Sequence, residues 1–155
     1  MFRGNFLMTQ ISERQAIRIG SFGFLIPTLA RKLDARMKDE LETVGVDIKL
    51  FAKLMMLAEK DGINQRTLGD KLNFPEYFMS RNVDALVSAG YAERRPDPNS
   101  RRAFLIFLTN AGKAKAKELP PIIHRVNDEI LGDLSEDDRT SLINMLQQVA
   151  GSARS

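Results

Sequence analysis

The sequence contains no cysteine. Disulfides, thiolate nucleophiles, thiol redox switches and cysteine-ligated zinc are therefore all excluded by inventory, and a reducing, cytoplasmic location is expected. His124 is the single histidine, and one imidazole without cysteine does not make a zinc site. There is no glycine-rich phosphate loop, no nucleophile elbow and no metal-ligand spacing. No catalytic residue, metal or cofactor is assigned, and an enzyme is not expected. The acidic run "SEDDR" reads as a helix N-terminus complementing its dipole. The apolar run "GSFGFLIP" is too short to span a bilayer and is followed by "ARKLDARMKDE" rather than by a small-residue cleavage site. Neither a membrane partner nor an export signal is expected. No internal repeat or linker interrupts the chain, so a single domain covering residues 1–155 is predicted.

What is present is the material of an ordinary globular core: 155 residues, of which 43% are hydrophobic and 28% charged. The net charge of +3 is unevenly spread. Residues 60–117 hold eleven basic against six acidic side chains, whereas residues 118–155 hold three against seven. A local basic excess is the footprint of a surface that meets phosphates.

Helical periodicity dominates both ends. From Phe22, the residues Leu25, Leu29, Leu33, Met37, Leu41 and Val44 recur every three or four positions, the stripe of a long amphipathic helix. Gly20, Gly23 and Pro27 should break or kink its start, and Ser12 with Gln15 has capping-box spacing for a short leading helix. Gly45 should end the long helix and Asp47 cap the next, on which Ile48, Phe51, Leu54, Met55 and Ala58 share a face. Near the other end, Thr109 caps "NAGKAKAKEL". Pro120-Pro121 forces a kink or restart, and Ile122, Ile123, Val126, Ile130 and Leu131 continue an apolar stripe. Ser135 with Asp138 opens a last helix carrying Leu142, Ile143, Leu146 and Val149.

Between these ends lie two short helices. "NQRTLGDKL" starts at a capping Asn64 and should bury Leu68 and Leu72; "PEYFMSRNVDALVSAG" runs from Pro75 to Gly90, with Asn73 suited to a left-handed turn residue. Two helices so joined are a helix-turn-helix. On the second, Met79, Val83, Leu86 and Val87 share the inner face and Tyr77, Ser80, Arg81, Asp84 and Ser88 the outer. After Gly90 the period shortens: "YAERR" and "AFLIFL" read as strands, and the Pro-Asp-Pro-Asn stretch between them as a hairpin loop longer than two residues. The predicted fold is mainly α with a small β-hairpin wing, a winged helix-turn-helix flanked by N- and C-terminal helices.

Such an arrangement suits double-stranded DNA. A major groove admits one helix, and the negative potential of a neighbouring minor groove attracts arginine. The candidate DNA-binding residues are Tyr77, Ser80 and Arg81 on the second helix and Arg94, Arg95, Arg101 and Arg102 on the hairpin. Arg81 could bond a guanine edge, or instead pair within its own surroundings with Asp84 or Asp70. Tyr77 and Ser80 would contact phosphate or a base edge, and Arg101 and Arg102 would enter or flank the minor groove. Arg94 and Arg95 alternate on their strand and cannot both face DNA.

The segment "ALVSAGYAERRPDPNSRRAFLIFLTNAG" resembles the signature of the MarR family of transcription regulators. The match falls on Leu86, Gly90, Arg94, Asp97, Pro98, Arg101, Arg102, Leu108, Thr109 and Gly112, with Ser80-Arg81 in place of the family's Thr-Arg pair. Two positions depart from the pattern: Ser100 stands where an Asp usually precedes the double arginine, and Pro75-Glu76-Tyr77-Phe78 is bulkier than usual. The resemblance implies a homodimer joined through its terminal helices, 1–44 and 113–155, presenting two DNA-binding lobes, 47–112, to a pseudo-palindromic operator. It also implies a repressor released by a small-molecule effector. Phe22, Phe24, Phe51, Met55 and His124 are the candidate ligand-binding residues, with core packing the competing reading for the aromatic and Met positions. The alternative to DNA recognition is a winged-helix protein-interaction module, or an orphan dimer with weak, non-specific DNA binding.

Overall fold

The computed structural model describes residues 12–151; the ends of the predicted 1–155 domain lie outside the described residues. Helix α1 (Glu13–Gly20) is capped by Ser12, whose hydroxyl accepts the Gln15 amide hydrogen bond at 3.2 Å. An extended Ser21 separates it from α2 (Phe22–Glu42). The break thus falls at Gly20-Ser21, while Gly23 and Pro27, expected to interrupt the helix, lie inside it. The amide missing at Pro27 costs one intrahelical bond, to the Gly23 carbonyl, and the remaining ladder carries the helix on.

Two compact units divide the chain within α2, between Ala35 and Arg36. In the first, Ile17, Ile19, Phe22, Leu25, Leu29 and Leu33 are all exposed, and Arg18 lies over the Phe24 ring. The second holds the hydrophobic core.

That second unit begins with the end of α2, which buries Met37 and Leu41. It closes at Gly45 with the Val46 amide donating to the Leu41 carbonyl at 3.0 Å, a Schellman turn. Asp47 caps α3 (Ile48–Glu59) by accepting from the Lys49 amide. The face of α3 that is buried carries Leu50, Lys53, Leu54 and Leu57; of the predicted Ile48, Phe51, Leu54, Met55 and Ala58, only Leu54 belongs to it. Ile48, Phe51 and Met55 flank the core and Ala58 is exposed. "IKLFAKLMMLAE" is apolar around most of its circumference, so periodicity alone does not choose its inner side.

Strand β1 (Ile63–Asn64) precedes α4 (Gln65–Leu72) and α5 (Glu76–Ser88); β2 (Ala92–Asp97) and β3 (Ser100–Leu108) follow. The antiparallel sheet has the order β1-β3-β2, with Ile63 opposite Ile106 and Arg94 opposite Ile106 on the other side. The two-residue β1 was not expected, being too short to show alternation. The hairpin turn also differs from expectation: Asp97 pairs with Ser100 across only Pro98 and Asn99. Asp97 Oδ1 accepts from the Asn99 amide at 2.8 Å, closing an Asx turn. The extra length is displaced into β3, where the pairing jumps from Pro96–Phe104 to Asp97–Ser100 and leaves 101–103 as a bulge.

Thr109 caps α6 (Asn110–Lys117), and α7 (Leu119–Ile130) restarts at the prolines as predicted, where missing amides cost nothing. Ser135 caps α8 (Glu136–Ala150). Leu41, Leu54, Leu57, Leu68, Met79, Val83, Leu86, Ile106, Leu119, Ile122 and Val126 form the fully enclosed core. The second unit's share of α2 is braced to α7, with Arg36 donating to Glu129 at 2.8 Å and Arg125 to Glu40 at 3.0 Å.

Candidate nucleic-acid interface

The helix-turn-helix is set by three residues between and beneath its helices. Asn73 ends α4 in the left-handed conformation, φ 55°. The following Phe74 amide donates back to the Gly69 carbonyl at 2.9 Å. Pro75 then occupies the N-cap position of α5. Below the turn lies Lys53, only 3% exposed. Its ammonium donates to the Lys49 carbonyl at 2.6 Å and sits 4.5 Å from the Phe74 ring centroid and 5.5 Å from that of Phe78. Burial pulls its pKa below the ordinary lysine value, and the charge of Asp47 opposes that shift more weakly. Sequence reasoning missed this residue, because a lysine in an amphipathic helix reads as solvent-facing.

Helix α5 buries Met79, Val83 and Leu86. Val87, expected beside them, is 37% exposed; as the last of that stripe it lies where the chain leaves the core at Gly90. Asn82 is also buried and donates to the Phe78 carbonyl at 2.6 Å. On the outer face Tyr77 is 74% exposed, Arg81, Asp84 and Ser88 are exposed, and Ser80 is half-buried. The intrahelical or α4 partner considered for Arg81 is not formed: among the described residues no carboxylate pairs with it, and Asp84 is engaged elsewhere. Its partner is Arg94, which reaches from β2 to donate to Asp84 Oδ1 at 2.6 Å.

The hairpin sorts its arginines by strand parity. Arg94 shares the inner face with the buried Ala92, facing α5. Arg95 is on the opposite face, where its guanidinium lies 4.2 Å from the Phe107 centroid and bonds Glu93. Arg101 and Arg102 are exposed in the bulge, and among the described residues neither has an ionic partner. Helix α6 anchors the base of the hairpin. Thr109 donates through its amide to the Tyr91 carbonyl at 3.0 Å and through its hydroxyl to the Gly90 carbonyl at 2.6 Å. Gly112 has to be glycine, since a Cβ there would stand 1.9 Å from the Tyr91 carbonyl oxygen.

The candidate ligand residues are divided between the two units. Phe22 and Phe24 belong to the first unit; Phe51 and Met55 pack partly buried against the core; His124 is exposed on α7. Met55 lines a cleft of about 400 Å³ whose other walls include Leu108, Lys113, Lys117 and Pro120, and none of the other four candidates. Among the described residues no cluster could hold a metal ion, and no helix is long and apolar enough to cross a membrane.

A helix-turn-helix with its second helix outward, followed at once by an arginine-bearing hairpin pinned to that helix, defines the winged-helix class of proteins. Comparison with known proteins narrows the class. The profile described as the MarR family matches residues 51–103. The HTH-type transcriptional regulator BilQ of Clostridium symbiosum is 27% identical over 112 residues, 72% of this chain and 78% of that protein. A MarR transcriptional regulator from Methanosarcina mazei superposes with a TM-score of 0.79 at 28% identity, covering 84% of this chain and 94% of the other. A mutant MarR from E. coli complexed with operator DNA superposes at 0.77 with 26% identity, over 86% and 96%. The chain is thus similar to MarR-family regulators, in sequence over residues 51–103 and in fold over most of its length.

Proposed function

We propose that the protein is a sequence-specific double-stranded-DNA-binding transcription regulator, a cytoplasmic homodimeric repressor acting on a pseudo-palindromic operator and released by a small-molecule effector. It is read as having no catalytic activity. The observation that carries the reading is the pairing of an outward recognition face, Tyr77, Ser80 and Arg81 on α5, with a wing held to the same helix by Arg94 and Asp84. In this reading α5 enters the major groove, Arg81 bonds a base edge, and Arg101 and Arg102 enter or flank the minor groove. Arg94 serves as a brace as well as a cation near the backbone. Arg95 lies on the far face of the wing and would reach DNA only at its edge.

The lobe formed by 47–112 would be the DNA reader, and 1–44 with 113–155 the dimerisation part. Support for the dimer comes from apolar side chains left in solvent. They lie on α1 and the first turns of α2, and separately on α8, where Ile143, Met145 and Val149 are exposed and no residue is buried.

The test is fluorescence anisotropy at two salt concentrations, with a duplex from upstream of the protein's own gene against a scrambled duplex. Tight, salt-sensitive binding that prefers the upstream duplex is expected. Equal, weak and salt-insensitive binding to both would refute the DNA-reading function and favour the protein-interaction alternative.

A further inference from the structure

The wing and the first helix of the helix-turn-helix border a groove of about 360 Å³. Asn64, Gln65 and Arg66, the N-terminal end of α4, line one side; Arg94, Arg102 and Phe104 come from the strands. None of the described lining residues is acidic. The Asn64 carboxamide is committed to the Thr67 amide at 2.7 Å, and Arg94 to Asp84. Arg66 and Arg102 are both exposed, and among the described residues neither meets a carboxylate. Two uncommitted guanidinium groups from different elements thus share one open cavity, with the positive end of α4 beside them. The bulge at 101–103 is what separates the double arginine: Arg102 lines the groove and Arg101 does not.

We propose that this groove seats one DNA backbone phosphate, gripped jointly by Arg66 from α4 and Arg102 from the wing. The inference rests on the DNA-reading function above. It assigns a role to Arg66, which no motif signalled, and moves Arg102 from the minor groove to the backbone, leaving the minor groove to Arg101. Phe104, half in solvent, offers an apolar wall to the adjoining sugar. A phosphate held this way adds a second tie between the wing and the helix-turn-helix, beside the Arg94–Asp84 pair that α5 already makes.

The test compares full-length wild type with Arg66→Gln, Arg102→Gln, the double variant and Arg101→Gln, after thermal melting has shown all to be folded. The slope of log K against log salt counts neutralised phosphates at about −0.9 each for duplex DNA. If one phosphate is shared in each protomer, each single variant loses up to about 1.8 of slope for the dimer and the double loses about 1.8 in all, with the second substitution adding little to the first. Arg101→Gln should add its effect fully to the double. A double variant that loses about 3.6 of slope would mean two separate phosphates on each protomer, and one with unchanged slope would mean a groove off the DNA; either overturns the proposal. If wild type shows no salt-sensitive binding to any duplex, the DNA-reading function itself fails and the proposal with it. A parallel melting series in inorganic phosphate against chloride at equal ionic strength separates the sources. A stabilisation that the double variant abolishes, with DNA binding untouched, would assign the groove to a free anion instead.

Discussion

Arg81 and Arg94 carry the same charge, and the structure gives them opposite duties. Arg94 is satisfied by Asp84, whereas Arg81 points out from α5 with no ionic partner among the described residues. Arg81→Ala is expected to lower operator affinity by about 1 to 3 kcal/mol and to flatten the preference for operator over scrambled DNA. A uniform loss on both duplexes in anisotropy titrations would place Arg81 on a phosphate instead. Lys53 makes a different prediction, about pH. Its folded pKa lies below the ordinary value of 10.5, so between the two values the unfolded chain binds the extra proton. Stability attributable to this residue therefore rises with pH through that window, as the cost of burying a charge is relieved. Urea unfolding at pH 7, 9 and 10 should show wild type gaining on Lys53→Met as pH rises. A constant difference would mean that the ammonium is not held in a desolvated site.

At the scale of elements, the turn of the helix-turn-helix and the root of the wing are each fixed by one backbone requirement. Asn73→Ala keeps the left-handed φ but loses the residue type that tolerates it, and should cost about 1 kcal/mol; Asn73→Gly should cost less or nothing, both read from chemical unfolding. Gly112→Ala should be worse, about 3 kcal/mol or more, because the Cβ meets backbone rather than a side chain that could swing away. A melting temperature within a degree or two of wild type would show that α6 can move off Tyr91 freely. The residues marking these places were legible in the sequence: Asn73 as a left-handed turn, Thr109 as a cap, Pro75 and Gly90 as the bounds of α5. What was illegible was illegible for physical reasons. A hairpin's loop length and a bulge trade residues without changing composition, so the Pro-Asp-Pro-Asn run looked like a long loop. Leu50 rather than Phe51 faces inward because neighbouring elements choose the side, and a buried Lys53 needs two aromatic rings, one brought by the α4–α5 turn and one by α5. The groove containing Arg66 exists only once β3 returns beside α4.

For the whole molecule, the basic middle of the chain and its acidic end predict where phosphates are met, and the proposed dimer would be joined by the apolar terminal helices. Sedimentation at micromolar concentration should give about twice the 17.5 kDa of one chain. Val149, 68% exposed, tests the arrangement: Ile143→Asp with Val149→Asp should yield a folded monomer whose operator binding falls far more than its non-specific binding. A dimer that survives both charges would move the interface elsewhere. The architecture was readable in advance because local periodicity, caps and turn residues agree with one another along the chain. One join has a mechanical meaning. The wing's root is clamped on both sides, by Thr109 and Gly112 of α6 against residues 90–91, and by Asp61 Oδ1 accepting the Leu108 amide at 2.8 Å. With both sides held, a tilt of α6 would be passed to the hairpin as rotation, with the tip sweeping the longest arc, as at the fulcrum of a lever.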